Sequence, residues 1–136
     1  MLIDEGLELL DDEECVRLLA DGEVGRVGIT IAGLPVILPV NYAYVDGDVI
    51  FRTGEGSKLH AASNRAVVAF EVDGFDTRWH RGWSVLVIGR SAIVDDPGER
   101  ADLERRGVMP WAGGPRDAYV RLRPEMLTGR RIVAEC

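Results

Sequence analysis

The residues that can do chemistry concentrate in one stretch, residues 34–59, LPVILPVNYAYVDGDVIFRTGEGSKL. Near its end, Gly56-Ser57-Lys58 combines a glycine turn, a hydroxyl and an ammonium. If a short helix begins there, its first backbone N–H groups join them, and the set can hold a phosphate. Arg52, in the strand end Phe51-Arg52-Thr53, can close on the same phosphate. The same residues also read as a plain glycine turn with Ser57 as N-cap and Lys58 in solvent. Spacing alone does not choose between the two. Upstream, Pro39 interrupts a segment that otherwise reads as interior strand. Proline donates no ladder hydrogen bond, so it marks an edge or a bulge, where neighbouring backbone groups are open to a ligand.

A second cluster is Trp79-His80-Arg81-Gly82-Trp83-Ser84-Val85-Leu86-Val87. Two tryptophans around a glycine can wall a planar ring, and a core tryptophan is an equally open reading. Trp83, Val85 and Val87 share one strand face, with Ser84, Leu86 and Ile88 on the other. The Ser84 hydroxyl, in so apolar a strand, needs a partner.

The missing motifs matter as much. The chain has no GxGxxG, no GxxxxGK[ST] and no GxSxG. Gly25-Arg26-Val27-Gly28 falls within a strand pattern and suggests a bulge or close packing. His60 and His80 have no metal-spaced neighbour, and no acid pair stands out for acid–base work. No catalytic residue and no metal ligand is assigned. An enzyme built this way leaves its chemistry to a cofactor.

The elements that must position these groups fit one domain, residues 1–136. Asp11 reads as an N-cap with Glu14 completing a capping box, Cys15, Leu18 and Leu19 as an apolar stripe, and Gly22 as the stop. From Val24 the period changes to strands: residues 24–31, 35–45, 48–53, 66–72, 82–94, 118–123 and, less distinctly, 127–133. Ala32-Gly33 and Asp46-Gly47 read as hairpin turns. Residues 35–45 are apolar on both faces, which implies burial on both sides, as inside a closed barrel or under a helix or partner. Short helices are expected at 57–63 and at 97–106, the latter opened by Asp96-Pro97. A Gly/Pro-rich loop at 107–115 carries Trp111. The first ten residues have no strong periodicity. This is α+β, mainly antiparallel, and a small partly open barrel suits it.

The net charge is −7, from 16 bases and 23 acids, and Lys58 is the only lysine. Nine of the acids lie in the first 23 residues. This balance excludes the basic footprint of a nucleic-acid binder. No apolar run approaches the roughly 20 residues of a membrane span, and the acidic N-terminus is not a signal peptide. Cys15 and Cys136 form no CxxC, so a reducing, cytoplasmic setting is expected.

In order and spacing, several segments resemble the pyridoxamine 5′-phosphate oxidase-like family of FMN-binding split β-barrels. They are Val24-Gly25-Arg26-Val27, Leu38-Pro39-Val40-Asn41-Tyr42, Ile50-Phe51-Arg52-Thr53, Gly56-Ser57-Lys58, Val68-Ala69-Phe70-Glu71-Val72-Asp73 and the strand from Gly82 to Gly89. The resemblance spans residues 11–131 and is strongest to the small bacterial branch that includes nitroimidazole-resistance proteins. It implies a six-stranded Greek-key split barrel with two or three short helices. It also implies a homodimer with FMN sites at its interface. Carried over position by position, Pro39, Val40 and Asn41 lie along the flavin ring. Arg52, Thr53, Ser57 and Lys58 hold the ribityl phosphate, and Trp83 and Ser84 contact the ring or the ribityl chain. Trp111 and Arg130 receive no role. The implied function is an FMN-dependent oxidoreductase acting on a small molecule. Alternatives are a deazaflavin-dependent reductase and a non-catalytic flavin or haem carrier or sensor. The oxidase's substrate-phosphate residues near the C-terminus have no counterpart here, so vitamin B6 oxidation is not expected.

Overall fold

The computed structural model describes residues 3–4, 7–106 and 117–132. Eight strands and three helices follow in order. They are β1 (Ile3–Asp4), β2 (Leu7–Leu10), α1 (Asp12–Asp21), β3 (Val24–Ile31), β4 (Leu34–Val45), β5 (Asp48–Gly54), α2 (Lys58–Ala62), β6 (Ala66–Asp76), β7 (Arg81–Ile93), α3 (Pro97–Arg105) and β8 (Asp117–Ile132).

All strand pairs are antiparallel, in the order β1-β2-β8-β5-β4-β3-β6-β7, and β7 pairs back onto β8. Strands β3 to β8 therefore close a six-stranded ring, as the resemblance implies. Two tight hairpins set its register. Ala32-Gly33 (φ 51° and 81°) joins β3 to β4, and Asp46-Gly47 (φ 51° and 87°) joins β4 to β5. Consecutive left-handed residues match the twist of the flanking strands.

Inside the ring, Val27, Val49, Phe51, Val68, Phe70, Val85, Val87, Val120 and Leu122 form the apolar core. Helix α1 adds Cys15, Leu18 and Leu19 to it. Asp11 caps α1, its carboxylate accepting from the Glu14 N–H at 2.9 Å. The reciprocal half of the capping box is absent. The Glu14 carboxylate instead accepts from Arg17 and, at 2.8 Å, from Arg131 of β8, tying the helix to the last strand. These bonds hold the Glu14 carboxyl down at a pKa of about 2, Arg17 contributing most. Gly22 ends α1 in an extended conformation (φ −85°), not the left-handed stop expected. Glycine is needed there for another reason. A Cβ would strike the Tyr42 hydroxyl, which donates to the Leu19 carbonyl at 2.7 Å.

The structure corrects two expectations. The first ten residues, aperiodic in sequence, include the β1–β2 hairpin, and β2 pairs with β8 over Gly129–Ile132. The two expected C-terminal strands are one strand, β8. Its register against β7 shifts between Ile88↔Met126 and Gly89↔Pro124, leaving Glu125 as the extra residue of a bulge. A Cβ on Gly89 would strike the Arg123 carbonyl, so the bulge needs that glycine. Of the two apolar faces of β4, one is buried within the chain. Val40 and Tyr42 point into the core, but Pro35 and Pro39 are exposed, Leu34 is 66% exposed and Ile37 73%. Strand alternation sends Pro35, Ile37 and Pro39 outward, while Leu34 shares the parity of Val40 and is exposed at the start of the strand; no described element covers them. Trp111 lies outside the described residues. Among the described residues no helix is long and apolar enough to cross a membrane.

Candidate functional site: the split between β4 and β5

Strand β5 is in register with β4 only over Tyr42↔Phe51 to Val45↔Asp48. Beyond that the two strands part. Residues 34–41 of β4 keep β3 on one side, and Arg52 to Gly54 of β5 keep β8, opposite Tyr119, Ala118 and Asp117. The barrel is thus split, with Pro39-Val40-Asn41 on one lip and Arg52-Thr53 on the other. Pro39 sits on this open edge, where its missing N–H is harmless. The chain then turns through Gly54-Glu55-Gly56 into α2, which packs against β3 and β5.

Alternation sorts the lip residues. Val40 points inward and is buried, so it faces the split only through its backbone. Asn41 and Pro39 alternate with it and face outward. Thr53 is also buried, and its hydroxyl hydrogen-bonds to Nδ1 of His60 at 3.0 Å. His60, given no role from sequence, thus joins α2 to the β5 lip. Arg52 lies on the outer face of the barrel, half-buried, with its Nε and Nη1 shielded from solvent and its guanidinium carbon 5.7 Å from the centre of the Tyr119 ring of β8. Such stacking restrains a long side chain. Ser57 is the N-cap of α2, its oxygen accepting from the His60 N–H at 3.1 Å, which leaves its O–H to donate. Gly56 has φ 81°, and neither Gly54 nor Gly56 has any atom near where a Cβ would stand. Lys58 is exposed and makes no ion pair among the described residues. An anion held here would meet an ammonium, a hydroxyl and open backbone.

Trp83 and Ser84 are not brought to this corner. They lie on β7, three strands from β4 across β3 and β6, roughly 14 Å at ~4.8 Å per strand. They also face opposite ways. Trp83 packs against the core beside Gly74, while Ser84 faces outward, opposite Asp73 on one side and Arg130 on the other. Trp79 stands exposed in the turn before β7, so the two tryptophans do not form one wall.

Sequence reading missed a carboxylate pair. Glu71 and Asp73 alternate along β6 on the outward face, and Arg26 of β3, opposite Glu71, contacts both at 3.2 and 2.8 Å. Burial, then a hydrogen bond and charge repulsion from Asp73, push the Glu71 carboxyl up to about 7 against the pull of Arg26. The i, i+2 spacing on a strand was the available signal. The partner from β3 was not visible without the register. Pro39 is the cross-strand neighbour of Arg26, so this triad abuts one lip of the split.

Comparison with known proteins decides the family. A model described as pyridoxamine 5′-phosphate oxidase matches residues 11–131. The chain belongs to that family. The protein Rv0080 of Mycobacterium tuberculosis is 44% identical over 131 residues, covering 93% of this chain and 86% of its own length. A solved FAD-binding protein from Mycobacterium smegmatis is 35% identical with TM-score 0.79, covering 93% of this chain and all of the other. A FAD-binding protein from Mesorhizobium loti, 24% identical with TM-score 0.72, covers 93% and 99% and shares the fold. The split barrel of this family member is thus the six-stranded ring described above.

Proposed function

We propose that this family member binds FMN in the split and is an FMN-dependent oxidoreductase acting on a small molecule in the cytoplasm. The observation that carries the reading is the split itself. Pro39, Val40 and Asn41 form its open backbone edge, and an uncommitted Lys58 stands beside Ser57, Thr53 and Arg52 across from it. The donor set suits a phosphate monoester: two cations of different reach, one hydroxyl with a free O–H, and a glycine turn with room above it. When bound, the flavin supplies hydride transfer. The chain's own residues bind and orient. Lys58 and Arg52 neutralise the phosphate, Ser57 donates to it, and His60 holds Thr53 and α2 in register. The β4 edge lies along the ring and excludes water from one side. FAD is a second reading, supported by the M. smegmatis relative.

The reading includes a homodimer. Trp83 and Ser84 lie three strands from the β4 lip, and a second copy would bring its own pair to the split. The outward face of β4, β3, β6 and β7 suits such a contact. Ile37, Gly28, Ala69, Ile88 and Met126 form one cross-strand row, with Val67 (61% exposed) nearby.

The test is an FMN titration of Lys58→Ala. Removing a charge-assisted bond worth about 1.5–3 kcal/mol should weaken affinity roughly 10- to 100-fold. Unchanged affinity would remove Lys58 from the site.

A further inference from the structure

A groove of about 540 Å³ on the outer wall near the β7–β8 bulge shares no residue with the split. Arg65, Arg90, Arg121 and Arg123 line it together with Ser91 and one carboxylate, Glu125, over Ala92 and Pro124. Their charges are unequally balanced. Arg121 is paired with Asp48 at 2.8 Å and with Glu99. Arg90 meets Glu125 at 3.2 Å in an exposed pair. Arg65 and Arg123 have no ion pair among the described residues. Arg90 and Arg123 are also direct cross-strand partners. Like charges in that position repel each other and destabilise a sheet. The arrangement sits one residue from the Gly89/Pro124 bulge, the kind of irregularity that re-aims side chains. Arg65 precedes β6 with φ 54°, a left-handed backbone that few non-glycine residues adopt.

We infer that this groove is a binding site for a small ligand bearing a phosphate or diphosphate group. An anion between Arg90 and Arg123 converts their repulsion into shared attraction. Guanidinium forks match phosphate oxygens bidentately. The volume admits a ligand of nucleotide size, and the apolar floor of Ala92 and Pro124 offers a surface for its uncharged part. In a chain of net charge −7, such a concentration of arginines is a local exception. The inference does not rest on flavin binding.

The test is calorimetric titration with inorganic pyrophosphate and, separately, ADP at fixed ionic strength. The background is Lys58→Ala, which removes the other candidate phosphate corner. Saturable binding of either probe is expected, weakened about tenfold or more by Arg65→Gln with Arg123→Gln. ADP binding tighter than pyrophosphate would assign a nucleotide, and equal affinities would assign the phosphate group alone. No saturable binding, or equal affinity in the double variant, overturns the inference. A second readout needs no ligand. Arg123→Gln alone relieves the opposed pair, so the ligand-free variant should melt no lower than the parent in low salt. A lower melting temperature would contradict the repulsion on which the site is argued.

Discussion

Glu71 stands where three influences compete: burial and Asp73 favour its neutral form, and Arg26 favours its charge. The result, a carboxyl near 7, has a defined consequence for stability. Between about pH 4.5 and about pH 7 the folded chain holds a proton at Glu71 that the unfolded chain has released. Stability contributed by that proton is complete at the acid end and is lost as pH rises through the window. Glu71→Gln, which keeps a neutral side chain at every pH, should therefore flatten the fall in melting temperature across it. Parallel curves for parent and variant would refute the assignment. Single residues were legible in sequence where their chemistry is local. Lys58 and Ser57 announced themselves by type and by the glycine before them, and Ser57 does cap α2. Residues whose role depends on another strand were not legible. Glu71 needs Arg26 from β3, and Gly22 is required by Tyr42, twenty positions later.

At the scale of elements, β4 is the informative strand. Its sequence is apolar on both faces, yet only one face is buried within the chain, and the other presents Pro35, Ile37 and Pro39 to solvent. A second copy is the proposed cover. Ile37→Asp would place a charge in the middle of that contact and should cost roughly 2 kcal/mol or more of association. Sedimentation velocity should then find single chains at concentrations where the parent sediments as a pair. A variant that pairs as well as the parent would remove this face from the contact. Helices and hairpins were readable because their signals are short-range: Asp11 and Asp96 as N-caps, and Ala32-Gly33 and Asp46-Gly47 as turns. The β1–β2 hairpin was not, because four residues of mostly leucine carry no clear period. Nor was the continuity of β8, because Pro124 reads as a break until its place in a bulge is seen.

At the scale of the molecule, ring closure of β3 to β8 leaves one seam incomplete, and FMN is proposed to lie there. The fold follows from hairpin order and was legible. The grouping of the nine expected site residues was legible only in part. Seven gather along the split and at the start of α2, while Trp83 and Ser84 lie across the barrel wall. Motif order along a chain does not distinguish contacts made within one copy from contacts made between two. The charge distribution takes on a similar meaning at this scale. The acids at the front belong to α1 and its tie to Arg131, and the lone lysine stands at the seam. The most direct test of FMN binding is the absorption spectrum of the purified chain after FMN is added and free FMN removed by gel filtration. Retained near-ultraviolet and blue flavin bands, which a reductant bleaches and an added acceptor restores, are expected. A colourless protein that lets all the FMN pass would contradict FMN binding.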